Sequence, residues 1–153
     1  MEHNPQEIWE NTCTVIELAL SRAQANHLDI AAIGVTNQRE STIVWDKNTG
    51  EPVYNAIVWQ DTRTQDIVNR LAGDGGPDRF RCIVGETLST YASITKLMWI
   101  LETLPRAREK ALAGDLLFGN PDTWLIWNLT GGVNGGHTYH RRHQCFTHNA
   151  DGS

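Results

Sequence analysis

Arg39 and Glu40 stand side by side in a polar stretch, residues 36–41, that follows an apolar run. The guanidinium of an arginine offers five N–H donors, and a carboxylate offers two acceptor oxygens. Together they suit a neutral polyol, whose hydroxyls both donate and accept hydrogen bonds. The alternative is a solvated ion pair in a loop, and these residues by themselves favour it. Because neighbouring residues of a regular strand face opposite ways, both can reach one ligand only if the backbone bends there.

A second candidate for binding is the sequence IVWQDTRT, residues 57–64. The indole of Trp59 could form an apolar wall against the carbon skeleton of a ligand. Polar residues stand beside it, namely Gln60, Asp61 and Arg63. Alternatively, Trp59 belongs to the hydrophobic core, as we expect of Trp9, Trp99, Trp124 and Trp127. Tyr91 precedes a predicted helix, where its hydroxyl could reach a cleft or face water.

The segment at residues 137–153 contains four of the six histidines of the chain and one of its cysteines. They are spaced two to four residues apart, as a zinc site would need: His137, His140, His143, Cys145 and His148. From the residues alone, a metal-binding protein is therefore one candidate class.

The elements that must position these residues alternate between helical and extended patterns, which predicts an α/β fold. Ile30–Val35 is a nearly continuous apolar run, as expected of a parallel strand buried on both faces. The polar stretch at 36–41 would then lie outside the carboxyl end of that strand, where ligands bind in open α/β sheets. Few other segments could pair with this strand, so we expect the sheet to be incomplete.

The remaining elements are predicted from local signals. Asn4 and Pro5 predict the start of a helix with an apolar stripe that includes Cys13, which we therefore expect in the core. The sequence around Asn48–Gly50 predicts a hairpin. Further elements are expected as helices at 62–71, 93–104 and 106–114, a strand at 116–119, and a helix capped by Asp122 and closed by Gly131.

Composition sets wide bounds on function. The chain has 153 residues, a length typical of one domain, and its net charge of −5 argues against nucleic acid as a partner. Its three scattered cysteines, Cys13, Cys82 and Cys145, do not form a disulfide framework, which indicates a reducing compartment. No signal peptide is visible and the apolar runs are too short to span a bilayer, so we expect a cytoplasmic protein.

Five blocks of the sequence are informative when read together: EHNPQEIW, AAIGVTNQRESTIVWDKNTGEPVYNAIVWQDTRT, LSTY, LLFGNPDTWLIWNLTGG and GGVNGG. They resemble the FGGY family of carbohydrate kinases and within it the members that phosphorylate glycerol. The resemblance covers residues 2–136. It implies that residues 1–136 form part of an N-terminal domain with the actin-like, ribonuclease-H-like fold, incomplete in this chain.

The resemblance also implies a reaction, the transfer of the γ-phosphoryl group of ATP to a terminal hydroxyl of glycerol with Mg²⁺. Arg39 and Glu40 match the glycerol-binding pair of the family, Trp59 matches the aromatic wall of the pocket, and Tyr91 matches a tyrosine that hydrogen-bonds glycerol. The phosphate loop, the catalytic aspartate and most of the nucleotide site have no counterpart here. We therefore expect no catalytic residue, no metal ligand and no measurable activity in this chain alone. The resemblance also implies a homo-oligomer, because the family often forms homo-oligomers.

Two departures from the family pattern affect local geometry: Ala92, Ser93 and Ile94 replace the usual F-S-G, and Asn120–Pro121 replace a threonine and an aliphatic residue. The alternatives to a family member that phosphorylates glycerol are a non-catalytic polyol-binding or docking module and a sister sugar kinase. Residues 137–153 depart from the family entirely. Their codons, read one nucleotide out of frame, can encode a family-like THTTDVTNASRTMLMD, so we interpret them as a disordered, frameshifted tail without a selected metal site. Resequencing the DNA near codon 136 tests this hypothesis.

Overall fold

The computed structural model describes residues 1–138, which form six helices and four short strands. The helices are α1 (Pro5–Ala23), α2 (Gln65–Ala72), α3 (Arg81–Val84), α4 (Ser93–Thr103), α5 (Ala107–Leu112) and α6 (Pro121–Leu129). The strands are β1 (Glu2–His3), β2 (Ile43–Asp46), β3 (Ala56–Ile57) and β4 (Leu116–Gly119). Single 3₁₀ turns occur at His27–Asp29, Gly73–Gly75 and Gly132–Asn134.

All strand pairs among the described residues are antiparallel. β1 pairs with β3, and β2 pairs with β4 in a register that places Ile43 opposite Gly119. A bridge between Thr42 and Ile57, with hydrogen bonds of 2.9 and 3.0 Å, joins the two pairs. The predicted hairpin after β2 is confirmed: Gly50 has φ +77° and donates its N–H to the Asp46 carbonyl at 2.8 Å.

The prediction of a buried parallel strand at Ile30–Val35 is wrong. Residues 30–38 have no regular secondary structure, and Ile30 and Ile33 are 45% and 59% exposed. A strand is stable only when its backbone N–H and C=O groups pair with a neighbour. No described strand runs beside this segment, so its apolar pattern alone does not produce a strand.

The helices follow their local signals. The Asn4 side chain accepts the N–H of Gln6 at 3.0 Å and caps α1, as predicted. α2 begins at Gln65, three residues after the predicted start. The prediction that Asp122 caps α6 is wrong, because Asn120 holds the N-cap position and Pro121 is the first helical residue.

The core lies between β2 and α6. The rings of Trp45 and Trp124 meet edge to face with centroids 5.3 Å apart, and Trp127 stacks on Trp124 at 5.8 Å. Trp124 and Trp127 are buried as predicted, whereas Trp9 and Trp99 are half-buried. Cys13 is also half-buried rather than in the core, because α1 lies on the surface and Pro5 is its only buried residue.

Two further predictions concern the end of the chain and membranes. Residues 139–153 lie outside the described part, so the disordered tail and the histidine–cysteine cluster stay predictions; of the cluster, only His137 is described. Within the described residues, no helix combines the length and the apolar character needed to cross a bilayer.

Candidate functional site

The backbone bends at Glu40, immediately before β2. Glu40 has φ +64°, a left-handed conformation that costs a residue other than glycine about 1–2 kcal/mol. Such strain is retained where the surrounding structure imposes it, often at functional sites. Arg39 and Glu40 can both reach one ligand only if the backbone bends between a regular strand and this segment, and such a bend is present. Arg39 is exposed, whereas the Glu40 side chain is buried.

The carboxylate of Glu40 is held by the first residue of α4. Ser93 donates both its backbone N–H (2.6 Å) and its hydroxyl (2.7 Å) to Oε2 of Glu40. Hydrogen bonds to an ionised carboxylate are stronger than neutral ones, and the N-terminus of a helix favours negative charge. Glu40 is therefore fixed in orientation by a residue 53 positions away in the chain.

Arg39 makes no hydrogen bond or ion pair with any described residue, so the interpretation of Arg39 and Glu40 as a surface ion pair is wrong for this structure. Its guanidinium is exposed beside the bend, and its predicted role in holding a hydroxyl stays a prediction.

Trp59 and Tyr91 meet at the surface next to this bend. Their rings lie edge to face, with centroids 5.9 Å apart and an interplanar angle of 74°. The Trp59 side chain is 39% exposed, so the alternative that it belongs to the core is wrong. Its backbone N–H donates to the hydroxyl of Ser41 at 3.2 Å, which places Trp59 beside the residue that follows Glu40.

Two residues that hold this arrangement were not singled out as site residues from the sequence: Ser93 and Asn120. The buried amide of Asn120 donates to the carbonyl of Ser41 at 2.8 Å and to the hydroxyl of Ser93 at 3.4 Å. It therefore joins β4, the start of β2 and the start of α4 at one point. Both residues lie in the two segments that depart from the family pattern, and that departure was the only signal in the sequence.

Asp61 and Arg63, the polar neighbours of Trp59, bind each other. The guanidinium contacts both carboxylate oxygens of Asp61 at 2.8 Å, and it lies 4.9 Å from the ring centroid of Trp99. The Arg63 guanidinium holds the pKa of the Asp61 carboxyl well below its usual range. Arg63 also contacts Glu2 at 2.8 Å. This pair links β1 to the segment after β3 and is structural.

An apolar cavity of about 380 Å³ lies against Glu40, between α2, α3 and α4. Of the four predicted binding residues, only Glu40 lines it. Its other walls are mainly apolar side chains, including Leu71, Phe80, Val84, Leu88 and Met98. The low polarity there strengthens the bonds that Ser93 makes to the carboxylate.

A metal site needs several ligating side chains close together, and a phosphate site needs exposed backbone N–H groups. Within residues 1–138, no three His, Cys, Asp or Glu side chains lie close enough together to hold a metal ion. The described residues also do not include a glycine-rich phosphate loop with a lysine.

The chain is similar to known carbohydrate kinases. The family model for the N-terminal domain of the FGGY family of carbohydrate kinases matches residues 1–146. The chain is 66% identical over 136 residues to a glycerol kinase of Paenarthrobacter aurescens and 64% identical to one of Leifsonia xyli, covering 89% of this chain. It spans 27% of the length of these relatives.

Solved structures show the same likeness. A glycerol kinase of Plasmodium falciparum, solved with ADP, matches 86% of this chain and 26% of its own at 37% identity and a TM-score of 0.76. A xylulose kinase of Bifidobacterium adolescentis shares the fold at 22% identity, with a TM-score of 0.63 over 85% of this chain and 27% of its own.

Proposed function

The chain belongs to the FGGY family of carbohydrate kinases, and we propose that it forms the glycerol-binding part of a kinase that transfers the γ-phosphoryl group of ATP to glycerol. The observation that carries this proposal is the fixed carboxylate of Glu40, which Ser93 orients at 2.6 and 2.7 Å beside the bend that exposes Arg39. The similarity to glycerol kinases at 59–66% identity supports glycerol as the polyol.

Each group has a distinct task in holding the polyol. The carboxylate of Glu40 accepts hydrogen bonds from hydroxyl groups, and the guanidinium of Arg39 donates to hydroxyl oxygens. The exposed indole of Trp59, braced by the ring of Tyr91, covers the C–H groups of the carbon chain. The Tyr91 hydroxyl supplies one further hydrogen bond.

Positioning is the largest contribution that this part of a kinase can make. Phosphoryl transfer depends mainly on alignment of the acceptor hydroxyl with the phosphate and on electrostatic stabilisation. In this proposal the described residues hold the acceptor, and no chemical step is assigned to them. ATP and Mg²⁺ as cofactors and homo-oligomers remain predictions from the resemblance, and a cytoplasmic location remains a prediction from the sequence.

Titration calorimetry of the protein with glycerol tests this proposal. We expect Glu40→Gln to weaken glycerol binding at least tenfold, because a hydrogen bond to a charged group contributes about 1.5–3 kcal/mol. Arg39→Met is expected to have an effect in the same direction. The matched control is Glu17→Gln, at an exposed position of α1 far from the bend.

The outcome separates the candidate functions. Preference for glycerol over a five-carbon sugar supports the proposal, whereas preference for the sugar would support a sister sugar kinase. If the protein binds glycerol, and neither it nor any complex that it forms phosphorylates glycerol, a non-catalytic polyol-binding module is supported. Equal binding by the wild type and Glu40→Gln would remove the basis of the proposal.

A further inference from the structure

Lys96 is a buried lysine on α4 whose side chain is 0% exposed. Its Nζ donates to three backbone carbonyls, those of Thr90 (2.8 Å), Tyr91 (2.6 Å) and Ala92 (3.4 Å). An ammonium has three hydrogens, and here each has an acceptor. Burial of a charged amine is unfavourable unless such bonds compensate for the lost water.

These three carbonyls belong to the segment that leads into α4. The middle residue of the segment is Tyr91, whose ring meets Trp59. The next residue after the segment is Ser93, whose N–H and hydroxyl hold Glu40. The path of the backbone at 90–92 therefore sets both the aromatic contact and the orientation of the carboxylate.

We propose that Lys96 is a positioning residue for the polyol site, and that its ammonium gathers the carbonyls of residues 90–92 so that Tyr91 and Ser93 reach their partners. The three carbonyls use all the ammonium hydrogens, so Lys96 acts through the backbone and not on the ligand. That the site binds a polyol rests on the proposed function; the positioning of Ser93 and Tyr91 does not.

The charge state of Lys96 is compatible with this role. Burial lowers the pKa of Lys96 to about 8, and the negative charges of Glu40 and Asp61 oppose that shift. Most of the lysine is therefore still an ammonium at neutral pH and can donate three hydrogen bonds.

NMR on the protein and two variants tests the proposal. Lys96→Met keeps the length of the side chain and removes every donor. We expect the exchange protection of the Ser93 amide to fall at least tenfold, the proton contacts between the Tyr91 and Trp59 rings to be lost, and the Kd for glycerol to rise at least tenfold. Amides near the Asp46–Leu116 end of the β2–β4 pair should keep their protection, because this end lies opposite to the end that Asn120 joins to Ser93.

Lys47→Met is the matched control. Lys47 also donates to a backbone carbonyl, that of Gly114 at 2.6 Å, but its side chain is 44% exposed and lies away from the site. We expect no change at Ser93 in this variant. Lys96→Gln, which retains an N–H₂ donor group, should give an intermediate loss of Ser93 protection.

The outcomes separate this inference from the proposed function. Unchanged Ser93 protection and ring contacts in folded Lys96→Met or Lys96→Gln would overturn the role of Lys96. Unfolding of both variants would also overturn it, by assigning Lys96 to the stability of the whole fold. If the wild type does not bind glycerol but Lys96→Met loses Ser93 protection, positioning by Lys96 stands and the proposed polyol function fails.

Discussion

Ser93 donates its backbone N–H and its hydroxyl to the same oxygen of Glu40, at 2.6 and 2.7 Å. The two residues are 53 positions apart, and Glu40 has the left-handed backbone conformation that allows the contact. This relationship joins the strained bend before β2 to the start of α4. Its consequences can be measured.

Replacement of Ser93 by alanine tests the hydroxyl bond. Ser93→Ala removes one of the two donors to Glu40 and leaves the backbone N–H in place, so we expect glycerol affinity to fall by about tenfold. Ser93→Thr, which keeps a hydroxyl, should restore most of the affinity, and Ser21→Ala on the exposed part of α1 is the control. Calorimetry measures all four proteins; unchanged affinity in Ser93→Ala would contradict the prediction.

A comparison of Trp59→Ala with Trp124→Ala tests whether Trp59 forms the aromatic wall of the glycerol site. Trp59→Ala should lower glycerol affinity but reduce the free energy of unfolding by only about 1 kcal/mol, because its side chain is 39% exposed. Trp124→Ala removes a fully buried ring from the core and should cost about 3–5 kcal/mol. Urea denaturation and glycerol titration of both variants check this. A large loss of stability in Trp59→Ala would show that Trp59 packs in the hydrophobic core and would contradict the prediction.

Asn120 should contribute to stability through the carbonyl of Ser41. Asn120→Ala removes the amide donor at 2.8 Å from a buried carbonyl, which costs about 1–3 kcal/mol when no other donor replaces it. The control is Asn128→Ala, which removes a similar amide-to-carbonyl bond of 2.8 Å at a half-buried position of α6. Chemical denaturation gives both values. Equal losses would mean that burial at the junction of β2, β4 and α4 adds nothing.

The Asp61–Arg63 pair predicts a dependence of stability on pH. The Arg63 guanidinium depresses the pKa of Asp61 below its ordinary value of 3.8. A carboxylate with a depressed pKa stabilises the folded state above pH 3.8, and that contribution is lost as the pH falls through the folded-state pKa. We expect the difference in free energy of unfolding between the wild type and Asp61→Asn to shrink below about pH 4.

The control for this titration is Asp74→Asn, an exposed aspartate in the turn at Gly73–Gly75. The pH dependence that belongs to the Asp61–Arg63 pair is read as the difference between the two variants. Denaturant unfolding followed by tryptophan fluorescence at successive pH values measures all three proteins. The same pH dependence in both variants would show that the pair does not stabilise the fold.

Kinase activity is the remaining prediction. The purified chain should give no turnover of glycerol above background in a coupled assay that detects ADP. The reason is the prediction, from the resemblance, that the phosphate loop and the catalytic aspartate have no counterpart in this chain, since phosphoryl transfer needs both. Turnover that rises with protein concentration would refute this expectation.

Part of the site could be predicted from the sequence. Residue type and the family resemblance point to Arg39, Glu40, Trp59 and Tyr91, and the alternation rule makes a bend the condition for Arg39 and Glu40 to reach one ligand. The structure brings Trp59 to Tyr91 and places Glu40 beside the same loop, and it leaves Arg39 exposed. Their binding of glycerol stays a prediction. Ser93, Lys96 and Asn120 were missed, because an ordinary serine, lysine or asparagine shows no sign in the sequence of what it contacts.

The sequence by itself determined the elements whose signals are local. The Asn4 cap and Pro5 start α1, Gly50 closes the hairpin at φ +77°, and the apolar spacing of 93–104 forms α4, because each depends on residues a few positions apart. Only the tertiary structure decided what is non-local. Glu40 meets Ser93 and Asn120 meets Ser41 across 53 and 79 positions. Ile30–Val35 is no strand despite its apolar residues, because a strand needs hydrogen-bonding partners that its own sequence cannot supply.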